Sequence, residues 1–250
     1  MPPQFLPLLV LLLVSLSGLA TAGEGVQRTW TSEDNTRKLE ARFVRLRGEM
    51  LTLLPKDKPA MVLPLKLLAT PDQEIARTFG ALFPDGVPDE RITVLSLFRP
   101  GSTMAEVQEA VRGCKELTGG LPKELLGRTG LNGVYSVQVA GHAFHLFFGF
   151  DEADRLTDVS LHGPPLDAAE FDKAARSAWA KARQILLAQF GAPNPTLGYP
   201  DSNSFAADQV MFSDWWLDGK GNHALGIGRT DDKLMVVIRL TNQQPRTVPR

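Results

Sequence analysis

Short apolar runs separated by turn residues fill residues 28–78, and this pattern restricts the region to a small β-rich unit. The clearest run, Lys38–Phe43, alternates strictly, as a strand with one buried face does. Its predicted inner face carries Leu39, Ala41 and Phe43, and its outer face carries Lys38, Glu40 and Arg42. Further strands are predicted at Met50–Leu54 and Ala60–Leu65. Thr70, Pro71 and Gln73 then predict a helix start with Thr70 as N-cap, a proline at the first helical position and a capping box.

Three groups of residues in this region resemble the first Sla-homology domain, which occurs in a fungal endocytic adaptor and in many secreted bacterial proteins. They are Arg28-x-Trp30-Thr31, Lys38-Leu39-Glu40-Ala41-x-Phe43 and Val62-x-Pro64-Leu65-x-x-Leu68. The resemblance covers residues 28–78 and implies a small SH3-like β-barrel that binds short peptides, in the adaptor those of the Asn-Pro-Phe-x-Asp type. It also implies adaptor activity, binding of cytoskeletal proteins and ubiquitin, and self-association. Two turn glycines of the family are replaced here, by Asn35, which tolerates a positive φ, and by Lys56-Asp57-Lys58-Pro59.

The first residues of the chain predict export. Phe5–Leu16 is almost entirely apolar, and Ala20-Thr21-Ala22 has the small-x-small form of a cleavage site. The apolar stretch is shorter than the roughly 20 residues that a membrane span needs. A signal peptide over residues 1–22 is therefore predicted, with the mature protein in the periplasm or outside the cell and without a membrane anchor.

The composition of the chain excludes some classes of partner and cross-link. A formal net charge of −1 gives no overall field that would attract nucleic acid. The single cysteine, Cys114, cannot form an internal disulfide and is predicted to be buried and inert, with an intermolecular bridge as the alternative.

The rest of the chain predicts a linker and a second domain. Residues 79–91 contain the turn-rich Phe83–Pro88 and are read as a linker after a first domain at 23–78. Arg91–Leu97 is predicted to be extended, and Thr103 with Glu106 predicts a capped helix. Strands are predicted at Val134–Val139, Ala143–Phe150, Arg155–Leu161, Gln209–Leu217, Asn222–Gly228 and Leu234–Leu240. A long helix is expected from an Asp167 N-cap to Gly191, with Phe171, Ala174, Ala178, Ala182, Ile185 and Leu186 in its apolar stripe.

A helix followed by three strands thus occurs twice within residues 92–242, and residues 243–250 are expected to be a loose tail. Asp154-Arg155-Leu156-x-x-Val159 and Asp232-Lys233-Leu234-x-x-Val237 support a duplication. The arrangement resembles the superfamily of outer-membrane-assembly lipoproteins and β-lactamase-inhibitor proteins. That resemblance implies protein binding and an antiparallel sheet covered on one face by helices. The predicted fold class is α+β, a small SH3-like barrel followed by a duplicated helix-plus-three-strand domain.

Residues that could carry chemistry are few. His142 and His145 are three positions apart on one predicted strand, so they face opposite sides and are not expected to share a metal. The acidic groups Asp151–Asp154 and Asp231–Asp232 lie between strands, where aspartate is favoured by turn geometry. Gly226 and Gly228 share a strand face and are interpreted as room for close approach of the alanine-rich helix. No catalytic residue, metal or cofactor is predicted.

Candidate binding residues lie in both domains: Trp30, Lys38, Arg42, Trp215 and Trp216. Lys38 and Arg42 share a strand face and could pair with a ligand carboxylate, Lys38 being the first choice. Arg45 and Arg47 need a bulge near Val44 to face outward with them. Trp215 and Trp216 are adjacent on one strand, so one is expected in the core and the other on the open face beside Ser213, where it could anchor a partner. A solvated basic face and a core tryptophan remain the alternatives.

Three functional hypotheses follow. The first is an exported, non-enzymatic adaptor or binding module whose barrel recognises an acidic peptide or protein surface, with self-association as a further option. The second is a structural or inhibitor-like protein that binds its partner through the open sheet face of the second domain. An enzyme is the third and least favoured, because the sequence shows no catalytic constellation.

Overall fold

The computed structural model describes residues 26–119, 131–201, 209–217, 221–230 and 232–243, which form a mixed α+β structure. A four-stranded and an eight-stranded sheet, both antiparallel in the pairings described, make up most of it. The α+β class predicted from the sequence is confirmed. The predicted signal peptide and residues 244–250 of the predicted tail lie outside the described residues.

The small sheet is a meander of four strands in sequence order: β1 (Gln27–Thr31), β2 (Lys38–Arg47), β3 (Met50–Pro55) and β4 (Met61–Pro64). The alternation of β2 is confirmed, since Ala41 and Phe43 are fully buried whereas Lys38 and Glu40 are exposed. A break in register between Phe43 and Arg45 confirms the bulge near Val44. The described strands form an open sheet and not a closed barrel.

Helix α1 (Thr70–Leu82) covers the inner face of the small sheet. The rings of Phe43 and Phe79 meet edge-on, with their centroids 5.4 Å apart. Gly80 lies so close to Leu46 that an added Cβ would be 3.1 Å from the leucine side chain. The side chain of Trp30 is 1% exposed, and its Nε1 donates to the carbonyl of Ala41 at 2.9 Å. These contacts hold the helix and the sheet in one small core.

The predicted capping box at the start of α1 is wrong. Ala69 is the N-cap residue, so Thr70 and Pro71 are the first two helical residues, and no side chain caps the helix. Gln73 instead donates from Nε2 to the carbonyl of Leu68 at 2.8 Å. The carboxylate of Asp72, in the first turn, does not cap the helix either, because it accepts hydrogen bonds from Arg28 and Thr31 of β1.

The segment after α1 contacts both halves of the molecule. Phe83 and Val87 are buried, and the amide of Val87 donates to the carbonyl of Val44 at 2.7 Å. A few residues later, Glu90 Oε1 accepts the amide of Ala140 at 2.6 Å. Residues 83–90, within the predicted linker, are therefore held by hydrogen bonds or burial along much of their length.

The predicted extended stretch Arg91–Leu97 is wrong, because residues Thr93–Leu97 form a 3₁₀ helix. Val94 and Leu95 are both buried. A strand would have placed these consecutive side chains on opposite faces, whereas a tight turn brings both into one core.

The eight-stranded sheet contains β5 (Thr118–Gly119), β6 (Tyr135–Val139), β7 (His142–Phe150), β8 (Leu156–His162), β9 (Leu166–Asp167), β10 (Val210–Leu217), β11 (Asn222–Thr230) and β12 (Lys233–Thr241). Its order is β10-β11-β12-β8-β7-β6-β5, with the short β9 beside β12. The meanders β6–β8 and β10–β12 join through β8 and β12, where Leu161 pairs with Ile238.

Helix α2 (Met104–Gly113) begins as predicted, with a complete capping box between Thr103 and Glu106. The amide of Thr103 donates to Glu106 Oε2 at 2.7 Å, and this bond and that from the Thr103 hydroxyl lower the pKa of the Glu106 carboxyl. The amide of Met104 donates to the carbonyl of Asp154 at 3.1 Å. The start of α2 is thereby fixed to the turn that precedes β8.

Helix α3 (Arg176–Phe190) begins later than predicted. Residues Ala168–Glu170 form a 3₁₀ turn and Phe171–Ala175 a π turn, and the Asp167 carboxylate does not cap the helix but pairs with Lys233 Nζ at 2.5 Å. Four residues of the predicted stripe are buried as expected, namely Phe171, Ala182, Ile185 and Leu186. At and just after the wide π turn, Ala175 and Trp179 are buried where Ala174 and Ala178 were expected. The predicted end is confirmed, with Gly191 at φ 80°.

The close approach at Gly226 is real but involves a different neighbour from the one expected. A Cβ there would lie 2.2 Å from the carbonyl oxygen of Met211 in the adjacent strand β10. Gly226 pairs with Phe212, beside a bulge in β10. The bare backbone makes room for that bulge and not for the long helix.

Candidate functional site

An open groove of about 720 Å³ lies beside the turn that joins β3 to β4. It is lined by strand residues, by the turn itself and by one residue of the segment after α1, namely Gln27, Arg42, Leu54, Pro55, Lys56, Asp57, Lys58, Pro59 and Arg91. Sequence reasoning named Arg42 as a site residue but did not connect it with the turn or with Arg91, because they are far apart in the chain.

The turn between β3 and β4 contains a residue with left-handed backbone that is not a glycine. Asp57 has φ 58°, and Asn35 in the preceding turn has φ 59°, as the sequence predicted for the asparagine. Aspartate and asparagine tolerate this left-handed backbone better than most residues. Lys56 and Lys58 flank Asp57, and both are exposed. The turn thus places two cations at the rim of the groove.

Arg42 lies on the outer face of the small sheet, opposite Leu54 of β3. Its Nη2 donates to the carbonyl of Pro88 at 2.7 Å, and its Nη1 lies 3.0 Å from Asp89 Oδ1. The Arg42 side chain is only 15% exposed, whereas that of Asp89 is 97% exposed. The Arg42 guanidinium is therefore held in place by the carbonyl of Pro88, and it also pairs with the Asp89 carboxylate, which is almost fully exposed to solvent.

The lining of the groove combines positive charge with apolar surface. Arg42, Lys56, Lys58 and Arg91 are cationic, and Asp57 is the one acidic residue of the lining. Leu54 is exposed and supplies apolar area beside the buried Pro55, and the large apolar side chains of Met61 and Val62 on β4 are also exposed. This combination suits a ligand with a carboxylate and an apolar side chain, because guanidinium and ammonium groups form charge-assisted hydrogen bonds to carboxylates.

Two predicted binding residues of the small sheet lie elsewhere. Lys38 is exposed and pairs with Thr31 at the opposite end of β2 from the bulge, outside the lining of the groove. Trp30 is buried in the core beneath α1. The structure therefore brings Arg42 to the groove and leaves Lys38 and Trp30 outside it.

Trp215 and Trp216 face opposite sides of the large sheet, as predicted. Trp216 is 3% exposed, and its Nε1 donates to the carbonyl of Gly191 at the end of α3. Trp215 is half-buried on the other face, in edge contact with Phe212. The expectation that Ser213 lies beside Trp215 on the open face is wrong, because the bulge in β10 turns Ser213 inward, where Trp179 Nε1 donates to it at 3.1 Å.

The face of the large sheet that carries Trp215 also carries other half-buried rings. The rings of Phe147 and His162 are tilted by 32° to each other with their centroids 4.4 Å apart, and Arg239 lies over the ring of Phe212 at 4.9 Å. Burial and the nearby Arg239 lower the pKa of His162 to about 4, against the opposing effect of Asp158. His162 pairs across strands with the exposed His145, a proximity that the sequence did not show.

A buried polar cluster under α3 escaped the sequence analysis. Asp214 is fully buried, accepts from Arg183 Nε at 3.1 Å and accepts from Thr196 Oγ1 at 2.7 Å. Ser213 Oγ lies 3.0 Å from the other oxygen of Asp214. The signal available was an acidic residue inside an apolar strand. The cluster connects α3 and the loop that contains Thr196 to strand β10.

The remaining predicted groups are ordinary turn residues or isolated side chains. Asp151 Oδ1 accepts the amides of Ala153 and Arg155, as a turn aspartate does, and Asp231 lies outside the described residues. Cys114 is partly exposed, so its predicted burial is wrong, because it lies just past the end of α2. Among the residues that the structure describes, no group of three or more His, Cys, Asp or Glu is arranged to hold a metal ion.

Comparison of the chain with protein-family models, with curated proteins and with solved structures gave no match. None of the helices in the described ranges is long and apolar enough to cross a membrane.

Proposed function

We propose that the chain is an exported, non-enzymatic binding protein whose small domain holds an acidic peptide in the groove between Arg42, the Lys56–Pro59 turn and Arg91. The observation that carries the proposal is the lining of that groove, which places four cations around an apolar floor. A peptide with a carboxylate and one large apolar side chain matches both properties.

The ligand's carboxylate would lie near Arg42 and Arg91, and its apolar side chain would contact Leu54 and Pro55. Addition of the peptide as a further strand along β4 is the less favourable mode. That edge contains Pro64, which has no amide hydrogen to donate, and it follows Pro59 closely. Side-chain recognition in the groove is therefore preferred over backbone pairing.

Part of the backbone supports an SH3-like arrangement of the kind that the Sla-homology resemblance implies. After β4 the chain returns to the end of β1, where Ala69 donates to the carbonyl of Thr31 and Glu33 donates to that of Leu67, both at 2.9 Å. We propose that this returning segment and α1 together replace one side of an SH3-like barrel. Because an exported chain meets neither cytoplasmic tails nor ubiquitin, the resemblance is carried over as a mode of recognition and not as a partner.

The test is binding of fluorescein-labelled heptapeptides measured by fluorescence polarisation. One pool carries two Asp or Glu residues and one large apolar residue per peptide, and a matched pool carries Asn and Gln instead. Selective binding of the acidic pool is expected, together with at least a tenfold loss in Arg91→Glu and Lys58→Glu. Arg47→Glu is the matched control, because Arg47 is exposed on the same sheet but does not line the groove. Equal loss in all three variants would reject the groove as the site.

A second candidate function uses the open face of the large sheet. Half-buried Phe147, His162, Phe212 and Trp215 lie on the face opposite the contact between α3 and Trp216. The repeated helix-and-meander order supports a duplicated domain of the inhibitor-like superfamily, which binds other proteins. This candidate predicts that Trp215→Ala abolishes partner capture while the charge reversals in the groove leave it intact.

A further inference from the structure

The Asp89 carboxylate contacts the same Arg42 guanidinium that the proposed ligand's carboxylate would contact. Its Oδ1 lies 3.0 Å from Arg42 Nη1, at the edge of the groove that Arg42 and Arg91 line. We propose that Asp89 is a built-in competitor, so that an acidic peptide binds by displacing the Asp89 carboxylate from Arg42. This inference rests on the proposed function of the groove.

The Arg42 guanidinium contacts the Asp89 carboxylate and the Pro88 carbonyl, and the contact with Asp89 is the weaker. The Asp89 side chain is 97% exposed, and an ion pair with so solvated a partner contributes little, because water and salt screen it. The carbonyl of Pro88 instead accepts from the half-buried Arg42 at 2.7 Å. Arg42 would therefore keep its orientation when Asp89 leaves.

An incoming peptide has an advantage that Asp89 lacks. It can contact Leu54 and Pro55 while its carboxylate reaches Arg42, and a second carboxylate can meet Lys56, Lys58 or Arg91. Asp89 is tied to its neighbour Glu90, which is held by the amide of Ala140 at 2.6 Å. Asp89 is not among the residues that line the groove, and its carboxylate pairs with Arg42 at the groove's edge.

The consequence is that the protein binds acidic ligands less tightly than its groove permits. Removing the Asp89 charge should strengthen binding of the acidic heptapeptide pool two- to fivefold at about 0.15 M salt, the range that an exposed ion pair supplies. Only the dissociation constant for acidic peptides should change, because the neutral pool does not compete for Arg42.

The experiment compares wild-type protein with Asp89→Asn and Asp85→Asn by fluorescence polarisation. Asp85 is a matched control, since it is an exposed aspartate of the same segment that does not line the groove, and its removal changes the net charge equally. Tighter binding by Asp89→Asn alone supports the inference. Equal gains in both variants, or no gain in Asp89→Asn, overturn it and leave the proposed function standing. If none of the three proteins binds the acidic pool, the proposed function fails and the inference fails with it.

Discussion

Arg28 Nη2 lies 2.7 Å from Asp72 Oδ1, and this ion pair joins the first strand of the small sheet to the first turn of its helix. The second oxygen of the same carboxylate accepts the amide of Thr31 at 2.6 Å. Asp72 is only 5% exposed. One side chain thus satisfies a strand amide, a guanidinium and the positive end of the helix dipole.

The first prediction concerns this contact. Asp72→Ala should lower the free energy of unfolding by about 2 kcal/mol, because the amide of Thr31 and the guanidinium of Arg28 both lose their partner. Urea denaturation measures the change. Glu74→Ala, an exposed acid of the same helix, is the control and should change it by less than about 0.5 kcal/mol. Equal effects of the two substitutions would contradict the structural role of Asp72.

The second prediction concerns the buried cluster under α3. Arg183→Ala should cost about 3 kcal/mol, because it leaves the fully buried Asp214 without its cation. Arg112→Ala removes an exposed helix pair with Glu109 and should cost no more than about 0.5 kcal/mol. Thermal and urea unfolding of both variants check the difference. A cost below about 1 kcal/mol for Arg183→Ala would show that Thr196 and Ser213 alone compensate the Asp214 charge.

The third prediction is a dependence of stability on pH that is due to His162. Burial, with Arg239 nearby, lowers its pKa to about 4, whereas an unfolded histidine has a pKa near 6.5. Between about pH 6.5 and pH 4 the unfolded chain therefore binds more protons, and stability falls as the pH falls. Because the ring is partly exposed, we expect a loss of about 1–2 kcal/mol.

Comparison of variants isolates this contribution from that of the carboxyl groups. His162→Gln should lose less stability than wild type between pH 7 and pH 4.5, whereas His145→Gln, at an exposed position opposite it, should behave as wild type. Urea unfolding at the two pH values measures the difference. Parallel curves for wild type and His162→Gln would mean that the ring is not held neutral by its surroundings.

The fourth prediction tests the packing of β10 against β11. Gly226→Ala should cost at least about 3 kcal/mol, since its Cβ would lie 2.2 Å from the Met211 carbonyl and the backbone would have to move. Gly228→Ala should cost about 1 kcal/mol or less, because its nearest neighbour is a side-chain carbon of Val237 at 3.2 Å. Soluble yield and melting temperature report both effects. Similar melting temperatures would show that the bulge in β10 adapts.

Sequence patterns predicted the parts of the fold that depend on residues close together in the chain. The alternation of β2 and the capping box of Thr103 and Glu106 were readable, because both depend on residues that are neighbours in the chain. The start of α1 was misread because its N-cap, Ala69, donates its amide to the carbonyl of Thr31 in β1, and Gln73 binds the carbonyl of Leu68 instead of completing a capping box. Most of the buried stripe of α3 was predicted, but Ala174 and Ala178 were misread because the π turn at Phe171–Ala175 changes the helical period, which the composition does not indicate.

Only part of the candidate site could be predicted from the sequence, for a similar reason. The basic outer face of β2 pointed to Arg42, and the bulge near Val44 that Arg45 and Arg47 need in order to face outward is present. Arg91 and the Lys56–Pro59 turn join Arg42 only after the segment following α1 folds back on β2. Lys38 shares the strand face of Arg42, but strand periodicity alone does not say which end of a strand faces a groove.

The central claim is that an acidic peptide binds in the groove, and a nitrogen-15 NMR titration tests it most directly. Acidic heptapeptides are added to labelled wild-type protein, and the amide resonances that move identify the surface they occupy. If the peptide binds there, the largest shifts occur at Arg42, Lys56, Asp57, Lys58 and Arg91. Shifts concentrated at Phe147, Phe212 and Trp215 on the open face of the large sheet, or no shifts at millimolar peptide, would contradict it.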